Sequence, residues 1–332
     1  MGAACLAAGL LALTARATPA HADEEAEAKA GAEAKEGEGE AKEGEGKHEE
    51  VGKVGLDLVL GWGKVPFAVL NPPSGAQPVP TYTYNEKVPS NVQSFILGGG
   101  LEVVEHVEVG ARLPFTFAGF SPNGSQGRSA NSFGNLEVEG EYGQRVAQGL
   151  RLSGSLGVAL PTAQGTELPP DLANAVSTNV DQSGYDRWSL NRAAARARGY
   201  EDNALFEPHR LGIIPRVGLL YRNHGFSVEP YLKLENLIAT SSDLANGYVG
   251  EFVGGLRVGY WVHKEFEVAL RSWVNVGYAG GDEDKKTTFA IEPQVVLRFG
   301  PVRPYVGVIL PFTGPPNDGG FVGVRLGVDV AF

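Results

Sequence analysis

Polar and apolar residues alternate with a period of two along most of the chain after residue 53. The last stretch, "FVGVRLGVDVAF" at 321–332, shows the pattern, with apolar side chains at Val322, Val324, Leu326, Val328 and Val330. Successive side chains of a β-strand point to opposite faces, so such a stretch predicts a strand with one apolar and one polar face. Two settings fit it: a soluble core, or the lipid-facing wall of a barrel with a wet interior.

Twelve segments carry this alternation, and each is nine to fifteen residues long. They are 54–62, 94–104, 107–118, 133–144, 149–160, 210–221, 226–238, 248–262, 265–278, 288–299, 302–312 and 320–332. Transmembrane strands have about 9–11 residues, whereas strands of globular proteins have a mode of about 5–6. The lengths therefore favour membrane-spanning strands.

The connections between these segments alternate in length. Short polar turns follow the even-numbered segments, whereas long connections follow the odd-numbered ones at 63–93, 119–132, 161–209, 239–247 and 279–287. This alternation is typical of membrane barrels, whose short turns face the periplasm. The chain is thus predicted to be all-β, a transmembrane antiparallel β-barrel of about twelve strands.

The two faces of the predicted strands differ in charge. No ionisable residue interrupts the apolar face, and a charge facing lipid at the membrane midplane costs about 2–4 kcal/mol. Charges on the opposite face are expected to line the pore, and they are Asp57, Glu102, Arg112, Glu137, Glu139, Glu141, Arg216, Glu229, Lys233, Glu251, Arg257, Arg271, Glu292, Arg298, Arg303, Arg325 and Asp329.

Aromatic residues of the apolar face lie at the strand ends. They are Trp62, Phe117, Tyr142, Tyr221, Phe226, Tyr248, Tyr260, Phe266, Tyr278, Phe289, Phe299, Phe312 and Phe332. Aromatic side chains prefer the level of the lipid headgroups, so two aromatic belts are predicted.

The chain end carries the most specific motif. An aromatic last residue, Phe332, follows apolar residues at alternate positions, and with this signature residues 54–332 resemble bacterial outer-membrane β-barrels. The resemblance implies outer-membrane lipid and the barrel assembly machinery as partners, the latter recognising Phe332. Two shorter stretches, "VALPTAQG" at 158–165 and "VILPFTG" at 308–314, look like strand ends of small-solute transporter barrels from aromatic-degradation gene clusters.

The first fifty residues differ from the rest. Residues 1–22 read as a signal peptide, because a short apolar run precedes an Ala-His-Ala cleavage site. Residues 23–50 hold twelve acids and four lysines and no aromatic residue, so we expect a disordered acidic segment. The barrel then comprises 51–332. The single cysteine, Cys5, excludes a disulfide within the chain.

Catalytic or metal-binding motifs are weak. His209, beside Glu207, is the one histidine placed where an outer-membrane hydrolase would have one, but no serine or second histidine lies near it in sequence. We expect no catalytic residue, cofactor or metal, and no nucleic-acid partner. The connection 161–209 contains "WSLNRAAARARGY" at 188–200, a predicted helix that either folds inward as a constriction or covers the barrel as a surface cap.

The predicted lumen charges are unevenly distributed. The first four segments carry six acids and one base, whereas the other eight carry six acids and nine bases. In an open pore this asymmetry orients passing solutes. The function expected is therefore an outer-membrane channel for passive diffusion of small polar or amphiphilic solutes. The alternatives are a neutralised, closed barrel that serves as a structural or surface-binding scaffold through its loops and, third, an outer-membrane hydrolase.

Overall fold

The structure is a computed structural model, and it describes residues 52–71, 81–121, 127–167, 181–242, 244, 246–280 and 287–332. The predicted signal peptide and acidic segment lie outside the described residues.

Antiparallel strands form one closed wall. They are β1 (Gly52–Asn71), β2 (Thr81–Val104), β3 (Val107–Phe120), β4 (Arg128–Phe133), β5 (Glu137–Ala147), β6 (Leu150–Ala159), β7 (Arg210–Asn223), β8 (Phe226–Ala239), β9 (Tyr248–His263), β10 (Phe266–Ala279), β11 (Thr287–Leu297), β12 (Val302–Pro311) and β13 (Val322–Ala331). Consecutive strands pair, except that β5 pairs with β3 and not with β4, and β1 also pairs with β13, from Lys53 opposite Ala331 to Trp62 opposite Val322. The sheet therefore closes without an open edge in the membrane, as lipid requires.

Strands β4 and β5 are two parts of one wall strand, because both pair with β3. The wall thus has twelve strands, which confirms the predicted fold. The predicted segment 133–144 is interrupted between Phe133 and Glu137, where the backbone turns towards the lumen. There the N–H of Asn135 donates to the carbonyl of Leu205 (2.7 Å), a bond that draws this stretch away from the sheet.

Short and long connections alternate as predicted, and they define two ends of the barrel. Short turns join β2 to β3, β5 to β6, β7 to β8, β9 to β10 and β11 to β12 at what we call the turn end; the longer connections lie at the opposite, loop end. One expectation is wrong in extent: much of 63–93 is strand, because β1 and β2 continue as a paired hairpin as far as Asn71 and Thr81.

The outer face of the wall is apolar and exposed. Leu156, Leu232 and Leu270 are about half exposed, whereas the inward-facing Glu137 and Glu292 are at most 2 % exposed. All but one of the aromatic residues predicted for the belts are exposed; the exception, Phe266, is half-buried. The segregation of charge predicted from the sequence is therefore the segregation between lipid-facing and lumen-facing sides.

Two helices lie in the connections. Helix α1 (Gln182–Ala197) and a 3-10 turn (Asn203–Leu205) belong to the connection from β6 to β7, and the short helix α2 (Gly314–Asp318) joins β12 to β13. In the described part of the chain, no helix is long and apolar enough to cross a bilayer. Helix α1 lies inside the barrel, where it forms the centre of the site described next.

Candidate functional site

Residues 182–207 fold into the lumen, and we call them the inward segment. Asp181 caps helix α1, since its side chain accepts a hydrogen bond from the N–H of Gly184 (2.9 Å). Alanines at 193–195 and 197 favour the helix. The helix ends where Gly199 and Tyr200 take positive φ angles of 61° and 57°, which turn the chain across the lumen. Of the two placements open for this helix, the structure has the inward one.

Apolar contacts hold helix α1 in the loop half of the lumen. Leu190 and Ala197 are fully buried in a cluster with wall residues, which include Val59, Val92, Ile309 and Phe321. Gly61 and Gly323 face each other on β1 and β13, and a Cβ atom at either one would overlap Ala197. These two glycines let the helix lie directly against the wall.

The tip of the inward segment, residues 198–203, occupies the middle of the lumen and is polar. Arg198 is fully buried, and its guanidinium donates to the carboxylate of Asp57 (2.7 Å) and to the hydroxyl of Ser94 (3.1 Å). Since Asp57 and Ser94 belong to β1 and β2, this one side chain joins the tip to two wall strands.

Glu201 of the tip meets donors from three other strands. Its Oε1 accepts hydrogen bonds from the hydroxyl of Tyr231 (3.0 Å) and from Arg271, and its Oε2 accepts from both terminal nitrogens of Arg325 (3.3 Å each). Lys233 donates to its backbone carbonyl. Burial raises the pKa of Glu201, but the charges of Arg271 and Arg325 outweigh it and lower that pKa to about 2. The carboxylate is thus ionised and held from both sides.

Asp202 extends the network to the acidic side of the wall. It accepts from Arg112 on β3 (2.9 Å), and Arg112 also donates to Glu137 on β5 (2.6 Å). Burial raises the pKa of Asp202, yet the neighbouring cations, Arg112 first among them, hold it well below its usual range. Arg112 therefore bridges a carboxylate of the tip and one of the wall.

Further contacts between the inward segment and the wall are made by amide side chains and backbone groups; we call the wall residues that bond to the inward segment here the ring. Asn203 donates to Glu251 (2.8 Å), and the N–H of Ala204 donates to Glu235 (2.9 Å). From the wall, the Trp273 indole donates to the carbonyl of Gly199 (2.9 Å) and Asn275 to that of Tyr200 (3.0 Å). At the interrupted strand, the Asn135 side chain donates to the carbonyls of Ala204 and Glu207 (2.8 Å each).

Below the tip, charged residues of the wall line the turn half of the lumen and pair with one another. Lys53 pairs with Glu108 (2.5 Å), Arg257 with Glu267 (2.7 Å) and Arg151 with Glu141 (3.8 Å). A small cavity of about 30 Å³ opens here beside Arg112, lined by Lys53, Glu108, Glu139 and Glu141 among others. Its lining has three acidic and two basic side chains.

The structure brings about half of the predicted pore-lining residues together around the tip. Six of them bond to it directly: Asp57, Arg112, Lys233, Glu251, Arg271 and Arg325. Two more pair with members of this ring: Glu137 with Arg112, and Glu292 with Arg271 and Arg325 (2.8 Å each). Arg216 stacks over the ring of Tyr231, at 4.8 Å.

The other predicted pore-lining residues lie farther from the tip. Glu102 is exposed beside the turn end, where it accepts from the backbone N–H of His106 (2.9 Å). Arg303 is buried, whereas the side chains of intermediate exposure are Glu139, Glu141, Glu229, Arg257, Arg298 and Asp329. That these residues line a permeation path stays a prediction.

Several residues of the site were not predicted from the sequence. Ser94, Tyr231, Trp273 and Asn275 bond to the tip, but each is an uncharged residue on the polar face of a strand. Val59 and Ile309 lie on that same face. Such large apolar residues on a polar face were a readable signal that something apolar, here helix α1, lies opposite them in the lumen.

His209, the histidine considered for a hydrolase, bonds to the protein backbone. Its ring bonds to the backbone carbonyl of Gly165 (2.8 Å), while Glu207 pairs with Arg192 (3.1 Å). Among the described residues, no group of three or more His, Cys, Asp or Glu side chains is placed to hold a metal ion. His209 thus anchors the backbone just after the last residue of the inward segment.

The last residue takes part in barrel closure. The N–H of Phe332 donates to the carbonyl of Gly52, and the N–H of Gly52 donates to the carbonyl of Phe332 (2.9 Å each). Its ring is 60 % exposed on the outer face. Recognition of this ring by the barrel assembly machinery stays a prediction.

Comparison with known proteins gives matches in structure only, since no protein-family model and no curated protein matches the sequence. The fold is similar to that of an outer-membrane channel from Pseudomonas putida F1, with a TM-score of 0.52 and 12 % identity over 88 % of this chain and 100 % of that one. The translocator domain of the autotransporter NalP from Neisseria meningitidis has a TM-score of 0.41 and 14 % identity, over 94 % of this chain and 96 % of that one. The NanC porin has a TM-score of 0.41 and 10 % identity, over 83 % and 100 %.

The first of these likenesses concerns the whole fold and extends over the full length of the channel. This likeness agrees with the closed form and apolar exterior of the wall, because β-strands span a membrane as a closed antiparallel barrel whose exterior is apolar. The chain thus has the closed antiparallel barrel fold of bacterial outer-membrane proteins, with twelve strands.

Proposed function

We propose that the chain is an outer-membrane channel for the passive diffusion of small polar or amphiphilic solutes, and that the inward segment is its gate. The observation that carries the proposal is the chemistry of the tip. Arg198, Glu201 and Asp202 close the middle of the lumen through ion pairs with the wall.

Ion pairs contribute little net stability to a plug that stays in the lumen permanently. The desolvation of two buried charges offsets most of their attraction, and well-packed apolar side chains of similar volume are often as stable or more stable. A charged interface has a different advantage. When the tip withdraws as a unit, water enters and hydrates the charges on both sides, so the cost of separation is partly recovered.

The wall that withdrawal exposes is suited to polar solutes. Around the middle of the lumen, Arg112 pairs with Glu137, Arg271 with Glu292, and Arg325 with Asp57 and Glu292. Rings of charged side chains give pores their selectivity. The solved structure of similar fold from Pseudomonas putida F1 is described as an outer-membrane channel, which supports the same role here.

A disulfide lock tests the gate. A Cβ atom built on Gly212 of β7 lies 3.6 Å from the Cβ of Ala204 in the inward segment, within the range of about 3.5–4.5 Å found in disulfides. In the double variant G212C/A204C, the oxidised form should hold the segment in the lumen and the reduced form should release it. Cys5, in the predicted signal peptide, is the only native cysteine.

The measurement is single-channel conductance in planar bilayers, recorded on the same double variant before and after reduction. We expect few or no open events in the oxidised form and a return to wild-type conductance in the reduced form. The single variants G212C and A204C are the controls, since neither should respond to reductant. Equal conductance of the oxidised and reduced double variant would show that the inward segment is not the gate.

A closed barrel that acts through its loops is the second candidate. The packing of helix α1 favours it, because Leu190 and Ala193 are fully buried against the wall and their exposure to water would be costly. The same recordings discriminate between the two. Absence of conductance in wild type and in the reduced double variant, with correct folding shown, would support the scaffold.

A further inference from the structure

We propose that the wall donors around Glu201 form a carboxylate-binding site for the permeating solute, and that a small carboxylate opens the lumen by taking the place of the Glu201 side chain. This inference rests on the proposed function and gives it a substrate class. The tip would then be an internal ligand that occupies the site of the solute.

The donors are positioned by the wall and not by the tip. Arg271 and Arg325 each donate to Glu292 of β11 at 2.8 Å, and Glu292 is fully buried. The Nε of Arg325 also lies 3.3 Å from Asp57. These contacts remain when the inward segment withdraws, so both guanidinium groups keep their places and still have further N–H donors directed at the vacated position.

Aromatic side chains support the same donors. The guanidinium of Arg271 lies over the ring of Trp273, 5.6 Å from its centre, and that of Arg216 lies over Tyr231 at 4.8 Å. The Tyr231 hydroxyl then points at Oε1 of Glu201. The donor set therefore belongs entirely to β8, β10 and β13, and stacking on aromatic faces restricts its motion.

The geometry of the set matches a carboxylate. Two guanidinium groups and one phenol approach the two oxygens of Glu201 from separate strands. A guanidinium presents several donors in a planar fork that fits the two oxygens of a carboxylate, and such charge-assisted hydrogen bonds are about twice as strong as neutral ones. Chloride is a single spherical acceptor, so it does not match a fork of donors arranged for two oxygens.

The neighbouring Asp202 does not mark a second site of this kind. Asp202 forms ion pairs with Arg112, which belongs to the wall, and with Arg198 (3.7 Å), which belongs to the tip. When the tip withdraws, Arg198 leaves with it, and Arg112 keeps Glu137. The vacated positions thus differ: among the described contacts, that of Glu201 alone keeps two wall guanidinium groups and a hydroxyl that had donated hydrogen bonds to the departing side chain.

The experiment is a chemical rescue of the full-length variant Glu201→Ala. Removal of the side chain leaves room for acetate, which we expect to raise the apparent melting temperature of this variant by about 2–4 °C at a concentration several times its dissociation constant. Acetamide, which has the same shape without the charge, should give no shift. At the same acetate concentration the wild type should shift far less than the variant, because Glu201 competes with acetate for the site.

A second pair of variants identifies the donors. Arg325→Gln and Arg271→Gln, each combined with Glu201→Ala, should raise the acetate concentration needed for the same shift in melting temperature at least tenfold. Lys264→Gln in the same background should leave that concentration unchanged. Equal responses to acetate and acetamide, or an acetate response that survives both arginine replacements, would overturn the proposal. Should Glu201→Ala not fold, the isosteric Glu201→Gln serves, since acetate must then displace a neutral side chain.

Conductance of the wild type separates this inference from the proposed function. At equal ionic strength, acetate in place of chloride should raise the open probability at least threefold. If the wild type opens equally in both salts while the disulfide lock still controls conductance, the channel function is supported and the carboxylate site is overturned. Thermal rescue by acetate in a protein that never conducts would support the site and overturn the channel.

Discussion

The middle of the lumen and its turn half are lined by the same kinds of residue, yet their charges bond to different partners. In the middle, Asp57, Arg112 and Arg325 bond to the tip of the inward segment. In the turn half, Lys53 bonds to Glu108 and Arg257 to Glu267, all of them residues of the wall.

This difference separates two uses of charge in one barrel. A pair between the wall and the tip joins two elements that can move apart, so it sets the energy of closing. A pair within the wall joins strands that backbone hydrogen bonds already hold, so it mainly shapes the electric field in the water beside it. Removal of a charge should therefore affect stability in the middle and ion selectivity in the turn half.

The largest effect is expected for Arg198→Ala. Arg198 is fully buried, and its loss leaves Asp57 without its shortest ion pair (2.7 Å). Breaking a buried pair by removing one partner costs about 3–5 kcal/mol. We expect a loss of this size in the free energy of unfolding, measured by denaturant titration of the refolded barrel with tryptophan fluorescence.

The matched control is Lys264→Ala in the turn between β9 and β10. Lys264 is 80 % exposed and lies 3.9 Å from Glu265, so its replacement should change the free energy of unfolding by less than about 0.5 kcal/mol. If both variants unfold at the same denaturant concentration, the pairs between tip and wall contribute nothing to closure, and the distinction between the two halves fails.

A smaller effect separates Glu137 from its neighbours along β5. Glu137 is 2 % exposed and pairs with Arg112 at 2.6 Å, so Glu137→Gln should lower the free energy of unfolding by about 1–3 kcal/mol. Glu139 and Glu141 line the cavity of the turn half. The double variant E139Q/E141Q should keep its stability and lower the cation-to-anion permeability ratio.

Reversal potentials at two salt concentrations check this prediction. The selectivity change of E139Q/E141Q should grow at low salt, because the Debye length increases from about 8 Å at physiological ionic strength to about 30 Å at 0.01 M. A large loss of stability in this double variant would mean that both glutamates act like the charged residues around the tip. An unchanged permeability ratio in a conducting channel would mean that they lie outside the permeation path.

The wall was predictable from sequence because lipid imposes strict rules on it. A span of about ten residues, an apolar residue at every second position and no charge facing lipid are all visible in a single sequence. For that reason the twelve strands and their two faces were predicted correctly. Interruptions such as the one at Asn135 were not predicted. The three hydrogen bonds of its side chain, with Ala163, Ala204 and Glu207, depend on chain segments that no periodicity relates to it.

The interior was predictable only in part. The charged members of the ring were identified by their face, but their pairing depends on where residues 198–203 lie. No rule of period two applies to the connection that contains them, so inward and surface placements fitted the sequence equally well. Val59 and Ile309, apolar residues on the polar face, were the signal for the inward one, because a water-filled lumen would leave them unpaired with any apolar group.

The smallest expected effect concerns the pH dependence of the Glu201 contact. Its pKa of about 2 in the folded protein lies below the ordinary value of 4.5. A lowered pKa means that ionised Glu201 stabilises the folded state, fully above about pH 4.5, and that this contribution is lost as the pH falls from 4.5 towards 2. The difference in stability between wild type and Glu201→Gln should thus be constant from pH 8 to about pH 5 and then decline.

Groups that do not interact with Glu201 titrate alike in both proteins, so their contributions cancel in the difference. Asp202, whose pKa is also lowered, gives a second test through Asp202→Asn, which should show the same form of pH dependence. A stability difference that already declines between pH 7 and pH 6 would mean that Arg271 and Arg325 do not lower the pKa of Glu201. The tip would then be held by helix packing in the loop half, and the middle of the lumen would no longer differ from the turn half in the use of its charges.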